Sequence, residues 1–219
     1  MSFILEVIQN FLLYAPAALI CISFHEASHG LVAYWLGDNT AKERGRLTVN
    51  PLAHIDIMGL VCMIVFHFGW ARPVPVDPGN FKKPKLGMAL TALAGPVSNL
   101  LLSLALMCVY VALMAFGGGG RILTAAAEFL FITAILSCGL AVFNLLPVPP
   151  LDGSTLLTAL LPVSWRMKLH KYERVFYVIL ILLLYLGVLR IPMNIAAEVL
   201  FSGLNWATAG VDFLLQLLG

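Results

Sequence analysis

Four long runs of apolar residues decide which folds are open to this chain. They occupy Phe3–Leu36, Leu86–Phe116, Ile122–Leu146 and Val175–Leu189. We expect each run to form a helix that crosses a hydrocarbon layer of roughly 30 Å. Charged residues make up 11% of the sequence, against about 25% in a typical soluble domain, and the mean hydropathy is +0.95. The sequence therefore predicts an integral, multi-pass protein of the lipid bilayer.

The predicted fold is an all-α polytopic membrane protein, a bundle of about four to six transmembrane helices. A chain of 219 residues with this many spans leaves no room for a further soluble domain. We therefore expect one membrane-embedded domain over residues 1–219, with a core at about 3–161 and C-terminal helices at about 172–219. The net charge of +2 does not favour nucleic acid as a partner. The apolar start, MSFILEVIQN, lacks the basic stretch of a cleavable signal.

A shorter apolar segment, Met58–Trp70, does not fit a full span. It lies between NPLAHID and ARPVPVDPGN, two stretches rich in residues that oppose helix. Its Val and Ile residues suit a strand or a re-entrant segment, buried in protein so that its backbone groups stay paired.

The distribution of Lys and Arg favours the re-entrant arrangement. If Met58–Trp70 enters and leaves on one side, eleven of the thirteen basic residues share a face, opposite Arg121 and Arg190. If it crossed, the basic clusters would fall on both sides. The positive-inside rule then predicts that the basic loops are cytoplasmic and the N-terminus is outside. The eleven residues are Lys42, Arg44, Arg46, Arg72, Lys82, Lys83, Lys85, Arg166, Lys168, Lys171 and Arg174.

The tail, Ile191–Gly219, has a polar residue at every third or fourth position, which gives a helix a narrow polar stripe. We predict a helix that lies in the membrane interface, and packing of the stripe against the bundle is the alternative.

A polar motif interrupts the first apolar run. Residues His25-Glu26-Ala27-Ser28-His29 match H-E-x-x-H, in which histidines four positions apart share a helix face and can bind one zinc ion. Glu26 lies on the adjacent face, where its carboxylate can take a proton from a metal-bound water. The alternative is three polar side chains satisfied by neighbouring helices, which is costly because one mid-span charge costs about 3 kcal/mol. We therefore predict a metal site with one Zn²⁺ per chain.

A third ligand must come from elsewhere, because catalytic zinc normally has three protein ligands and one open position. Asp152 follows the third apolar run in NLLPVPPLDGS, where three prolines oppose helix and Gly153 frees the backbone. Capping of a short helix over Leu156–Leu161 is the competing interpretation of Asp152. The predicted topology places Asp152 and the two histidines at similar depth towards the cytoplasm, which favours ligation.

These motifs resemble the site-2 protease family, the zinc metalloproteases that cut within membranes. The likeness rests on HEASHG, GRLTVNPLAHID (45–56), AGPVSN (94–99) and NLLPVPPLDG (144–153), and covers residues 20–155 in the family's order. The resemblance implies that His25, His29 and Asp152 bind zinc and that Glu26 is the catalytic acid/base. It also implies a core of three helices, with a small membrane-associated β-structure after the first, within Arg46–Val76.

Further residues are candidates for catalysis and substrate binding. By resemblance, Asn144 is an active-site residue, a donor to the substrate or the oxyanion. The edge that contains Met58 and Gly59 is expected to bind an unwound substrate as an added strand. His54 either assists the site or hydrogen-bonds its own loop, and we favour the loop. Asn99 is a candidate for substrate binding, although helix packing is our preferred interpretation.

The predicted function is that of an intramembrane zinc endopeptidase, which cuts peptide bonds in or near transmembrane segments of protein substrates. A metal-ion transporter and an inactive scaffold that binds membrane helices are the alternatives. One compact cluster of ionisable residues argues against a transporter, and the presence of Glu26 argues against an inactive scaffold. Many relatives carry a PDZ or CBS domain. No segment here has such a composition, so we expect a minimal form that another membrane protein regulates.

Overall fold

A computed structural model describes residues 2–56, 58–59, 71–116, 120–162, 169, 171–188, 191, 194–195, 198–199 and 202–203. Two 3₁₀ turns, Pro51–Ala53 and Pro78–Asn80, lie in the connection between the first and second long helices. The described residues form six α-helices, which are α1 (Ser2–Trp35), α2 (Thr40–Glu43), α3 (Pro84–Phe116), α4 (Arg121–Leu145), α5 (Asp152–Leu160) and α6 (Glu173–Tyr185).

Three of the described helices are long and apolar enough to cross a membrane. They are Phe11–Trp35 within α1, Pro84–Ala115 within α3, and Arg121–Leu145, which is α4. The bounds of the second and third predicted spans agree with α3 and α4 to within two residues. The agreement has a simple cause, because proline is favoured in the first turn of α3 and Gly120, with a φ of 144°, precedes α4. The described helices confirm the predicted all-α fold, and three of them are candidate membrane spans.

The fourth predicted span, Val175–Leu189, is shorter than expected. α6 has 13 residues, about 20 Å of helix, whereas the hydrocarbon layer is about 30 Å thick. The helix ends at Tyr185, and two residues later Gly187 adopts a φ of 71° and its amide donates to the Leu184 carbonyl. The described residues thus contain three candidate spans where four to six were predicted. Most of Ile191–Gly219 lies outside the described residues, so its interfacial helix stays a prediction.

The three long helices α1, α3 and α4 all pack against one another. Hydroxyl groups join α3 to α4, with Ser103 Oγ donating to the Ala134 carbonyl and Ser137 Oγ to the Asn99 carbonyl, both at 2.8 Å. Close packing and interhelical hydrogen bonds hold helices together in lipid, where the surroundings are as apolar as the helices. The buried small residues at these contacts include Ala17, Cys21, Ala92, Gly95, Ala134 and Ala141.

Asp38 fastens the two ends of the long connection between α1 and α3. Its carboxylate has no solvent-accessible surface and accepts hydrogen bonds from the amides of Thr40 at 3.0 Å and Asp77 at 2.8 Å. Asn80 Nδ2 donates to it at 2.7 Å. Burial alone would raise the pKa of Asp38, but the hydrogen bonds outweigh burial and lower this pKa below its ordinary value. The chain that leaves α1 is therefore held against the chain that enters α3.

The β-structure expected within Arg46–Val76 is not confirmed in the described residues. Residues 46–56, 58–59 and 71–76 contain one isolated antiparallel bridge, between Ile55 and Ala71, and no strand. Pro73 and Pro75 lack the N–H groups that a ladder needs, so pairing cannot continue far beyond the bridge. The core of the predicted re-entrant segment, residues 60–70, lies outside the described residues. Its flanks, Ile55 and Ala71, lie side by side, as the re-entrant interpretation requires.

Candidate metal centre

α1 presents two imidazoles on one face near the end of its span. His25 and His29 are one turn apart, and their ring centroids are 4.6 Å apart with the planes at 89°. Both residues are buried, with 5% and 9% of their surface exposed. The i, i+4 spacing of the motif therefore produces the pair of rings that it predicts.

The start of α5 brings a carboxylate to these rings. Asp152 is the first residue of α5, and its Oδ2 lies 3.0 Å from His25 Nε2 and 3.3 Å from His29 Nε2. The N-cap position belongs to Leu151, and the helix has no side-chain cap, so Asp152 does not serve as one. Burial alone would raise the pKa of Asp152, but interaction with the His25 and His29 rings in their protonated form outweighs burial and lowers this pKa to about 2. Asp152 is therefore a carboxylate at neutral pH.

The three donor atoms form a cradle that fits a zinc ion. One ligand atom from each of His25, His29 and Asp152 lies within 4.8 Å of the others. Tetrahedral zinc with bonds of about 2.0 Å separates its ligand atoms by about 3.3 Å, close to the two distances above. Asp152 Oδ2 is buried without hydrogen-bond geometry to any described residue, and a cation would satisfy it. Two imidazoles and one carboxylate leave a fourth position open, as in catalytic rather than structural zinc sites.

Contacts from α3 determine which ring nitrogens face the cradle. His29 Nδ1 donates to the Thr91 carbonyl at 2.7 Å, which leaves Nε2 as the acceptor turned towards Asp152. His25 Nδ1 lies 3.2 Å from the amide nitrogen of Asn99, whose Oδ1 is buried without a hydrogen-bond partner among the described residues. Turning this amide by 180° places Oδ1 against a donating Nδ1–H and satisfies both groups. Both rings then offer Nε2 to one cation.

Asn99→Ala is expected to weaken zinc binding by about 10- to 100-fold, because the His25 ring loses the partner that fixes its tautomer and orientation. The affinity is measured by competition with a chelator. Ser98→Ala is the matched control, since the Ser98 hydroxyl only donates to the Gly95 carbonyl of its own helix. Asn99→Asp keeps an acceptor for His25 and should retain tight binding. Equal zinc affinity for Asn99→Ala and wild type would contradict the assignment.

Gly95 makes room for both imidazoles. A Cβ at this position of α3 would lie 2.5 Å from His25 Cε1 and 2.6 Å from His29 Cε1, whereas carbon atoms normally approach to about 3.5 Å. Gly153 allows a similar approach, because its Cβ would collide with the Leu145 carbonyl at the end of α4. In the sequence, the stretch AGPVSN indicates only the family likeness and does not single out Gly95. The signal that could have identified Gly95 is a glycine inside a span, one turn before a polar residue.

Glu26 lies beside the cradle on the neighbouring face of α1. The residue is half-buried, and its Oε2 accepts a hydrogen bond from the Val74 amide at 2.7 Å. This amide comes from the extended chain after the predicted re-entrant segment, a contact that no sequence motif indicated. The predicted acid/base of the motif is thus held by a backbone amide rather than by another side chain.

His54 and Asn144 make hydrogen bonds to nearby backbone. His54 is 2% exposed, and its Nε2 donates to the Thr48 carbonyl at 2.7 Å, so His54 braces the loop that carries it. Asn144 lies in the last turn of α4, where its Nδ2 donates to the Leu140 carbonyl at 2.9 Å. The catalytic role of Asn144 and a role of His54 in substrate binding stay predictions.

Met58 and Gly59 follow the bridge residue Ile55. Met58 is 63% exposed, whereas Gly59 is buried and its amide donates to Asp56 Oδ1 at 2.9 Å. Asn99, by contrast, has no exposed surface. Its amide contacts Nδ1 of the His25 ring, whereas Asp152 lies next to Nε2 of the same ring. Substrate binding by these three residues stays a prediction.

A membrane metallopeptidase is the class of protein that these features indicate: apolar helices, a buried His–His–Asp cradle and an adjacent glutamate. Residues 119–187 match the model described as Peptidase family M50. The chain is 38% identical over 201 residues to "Putative zinc metalloprotease YwhC" of Bacillus subtilis, a match that covers 91% of this chain and 87% of that protein. The chain therefore belongs to peptidase family M50, and the resemblance to site-2 proteases is confirmed.

More distant relatives carry a similar name. The chain is 31% identical over 158 residues to "Putative zinc metalloprotease Rip2" of Mycolicibacterium smegmatis, which covers 68% of this chain and 57% of that protein. The protein of the same name from Mycobacterium tuberculosis is 30% identical over 147 residues, with 65% of this chain and 55% of the relative covered. No solved structure matches the chain.

Proposed function

We propose that this protein is an intramembrane zinc endopeptidase that cuts peptide bonds in or near transmembrane segments of other membrane proteins. The observation that carries the proposal is the convergence of His25, His29 and Asp152, with Glu26 beside them, among helices apolar enough to cross a membrane. Membership of peptidase family M50 supports peptide hydrolysis as the reaction. The intramembrane site of cleavage is our inference from the apolar surroundings of the cradle.

The residues of the chain divide the work of hydrolysis. Bound by His25, His29 and Asp152, zinc would supply Lewis acidity that makes a water molecule a better nucleophile near neutral pH. Glu26 takes a proton from the attacking water and passes it to the leaving amine. Because Val74 holds Oε2 of Glu26, we assign the proton transfers to Oε1.

Asn144 is proposed as the donor to the oxyanion. In the structure its amide donates to the Leu140 carbonyl of its own helix. The role therefore requires the amide to exchange this local hydrogen bond for one with the substrate. Such a donor contributes about 10²–10³ in rate in other hydrolases.

A transmembrane substrate must unwind before it is cut, because a helix holds its carbonyls in hydrogen bonds four residues apart. The unwound backbone needs new partners, since lipid offers none. Addition as a strand near the Ile55–Ala71 bridge would supply them, and this bridge lies close in sequence to Arg72–Val74, which contacts Glu26.

The cradle is proposed to face the cytoplasm, with the N-terminus outside. The histidines lie towards the end of α1 that leads into Lys42, Arg44 and Arg46. By the positive-inside rule this end is cytoplasmic.

The test is a paired zinc and cleavage assay on the purified protein with a model transmembrane peptide. We expect one zinc per chain, cleavage within the apolar part of the peptide, loss of cleavage on chelation and its recovery with added zinc. Full zinc occupancy without cleavage would support a scaffold instead. Zinc flux through proteoliposomes would support a transporter, although only one group of described residues could hold a metal.

A further inference from the structure

The position of the Glu26 carboxylate depends on a short piece of extended backbone. The Val74 amide donates to Glu26 Oε2 at 2.7 Å, and Val74 itself is 8% exposed. Residues 72–76 form no helix or strand, so no regular ladder holds this amide in place. Something else must fix the backbone at Val74 if Glu26 is to keep one orientation.

Arg46 donates hydrogen bonds to the two backbone carbonyls that immediately precede this amide. Its Nη2 donates to the Arg72 carbonyl at 2.5 Å and to the Pro73 carbonyl at 3.3 Å. Three consecutive residues therefore have a backbone group in a hydrogen bond, two with the Arg46 guanidinium and the third with Glu26.

Arg46 is buried, which is unusual for an arginine without a paired carboxylate. The residue is 8% exposed, forms no ion pair with a described carboxylate, and its Nε has no hydrogen-bond partner among the described residues. Burial lowers the pKa of Arg46, as does the charge of Arg72, whereas the charge of Glu26 raises it. Glu26 is thus the carboxylate whose charge favours the charged form of Arg46. Burial of an arginine without a paired carboxylate costs folding free energy. A structural role alone therefore does not explain why Arg46 is buried.

The turn before Arg46 aims its side chain inward. Gly45 adopts a φ of 64°, a conformation that favours glycine, and the Arg46 amide closes the turn on the Ala41 carbonyl at 2.8 Å. One helical turn beyond Glu26, a Cβ at Gly30 would lie within 3.4 Å of Leu47, Val74 and Ala41. α1 therefore packs, beside Glu26, against the chain around Arg46 and the chain at Val74.

We propose that Arg46 is a positioning residue, whose guanidinium holds the Arg72–Val74 backbone so that the Val74 amide orients Glu26 for proton transfer. The proposal rests on the proposed function, in which Glu26 is the acid/base. Arg46 touches neither the cradle nor the reacting atoms and acts through Val74. Its loss should slow the chemical step and leave substrate binding and zinc binding in place.

The test compares Arg46→Met, which keeps an unbranched apolar stem, with Arg46→Lys, which restores a charge and hydrogen-bond donors. The matched control is Arg44→Met, because Arg44 is the same residue type two positions away and its side chain is exposed. For each variant, kcat and KM are measured on a transmembrane peptide, together with zinc content and melting temperature. Hydrogen exchange at the Val74 amide provides a readout that does not require activity.

For Arg46→Met we expect kcat to fall by about 10- to 100-fold through misplacement of Glu26. KM should stay within about twofold of wild type, with one zinc per chain and an unchanged melting temperature. The Val74 amide should exchange at least about tenfold faster. Arg46→Lys should recover part of kcat, and Arg44→Met should match wild type.

Two results would overturn the proposal. The first is a kcat of wild-type size for Arg46→Met while wild type cleaves and Glu26→Gln does not, which leaves the proposed function intact. The second is a loss of activity that only follows loss of zinc or of folded protein, with no recovery in Arg46→Lys, because that result shows a structural role. Absence of cleavage by wild type overturns the proposed function and this inference together.

Discussion

Glu26→Gln is expected to reduce peptide cleavage by at least about 10³-fold while one zinc ion stays bound. Glutamine has the shape of glutamate and keeps a carbonyl oxygen that can accept the Val74 hydrogen bond, so the packing around the site should persist. It cannot take a proton from water at neutral pH, and the acid/base step is lost. Zinc remains because the three donor atoms of the cradle come from other residues.

The measurement is the rate of cleavage of a transmembrane peptide, with zinc determined on the same sample. Glu43→Gln is the matched control, since Glu43 is an exposed carboxylate on α2 and should not affect either quantity. Cleavage by Glu26→Gln at more than a few per cent of the wild-type rate would reject Glu26 as the acid/base. Loss of zinc in this variant would instead make Glu26 a ligand, contrary to the geometry.

The residues of the cradle were predictable from sequence because helix geometry and topology constrain them. Spacing of four residues fixes His25 and His29 on one face whatever surrounds them. The charge bias of the loops predicted the depth of Asp152, and the structure brings Asp152 to the histidines. The starts of α3 and α4 were predictable because a proline and a glycine mark them. The end of α6 was not, since Gly187 lies within an otherwise apolar run.

The residues that support the cradle were not predictable, because most of them act through backbone atoms. Thr91 uses its carbonyl, Val74 its amide, and Arg46 binds carbonyls of residues that are distant in sequence. Any residue type can supply such groups, so sequence carries little information about them. Gly95 is the exception, since its lack of a side chain is what the site requires.

The close approach of the helices explains why the site needs glycine at two helix contacts. Three donor atoms about 3.3 Å apart can only meet if the backbones that carry and flank them come unusually close. Gly95 brings α3 against both rings, and Gly153 brings the first turn of α5 against the end of α4. The cradle is thus shaped by helix packing, and a change in the distance between helices changes the distances between its three donor atoms.

Gly95→Ala is therefore expected to weaken zinc binding by more than about 100-fold, because the new methyl group displaces the His25 and His29 rings by about 1 Å and metal–ligand distances tolerate only about 0.2 Å. Two effects oppose each other in this variant. Alanine favours helix over glycine by about 1 kcal/mol, so α3 itself should gain stability. The clash acts at 2.5 Å on rings that Thr91 and Asn99 hold from behind, so neither ring can turn aside freely.

Zinc affinity, measured by chelator competition, separates these two effects. Gly203→Ala is the matched control, because a Cβ at this helical glycine meets no atom of the described residues within 4 Å, and its zinc affinity should equal that of wild type. If Gly95→Ala binds zinc as tightly as wild type, the rings have room that the structure does not show, and the close approach of α3 is not what shapes the site. If it loses zinc while its helices stay folded, packing of α3 against α1 sets the geometry of the metal centre.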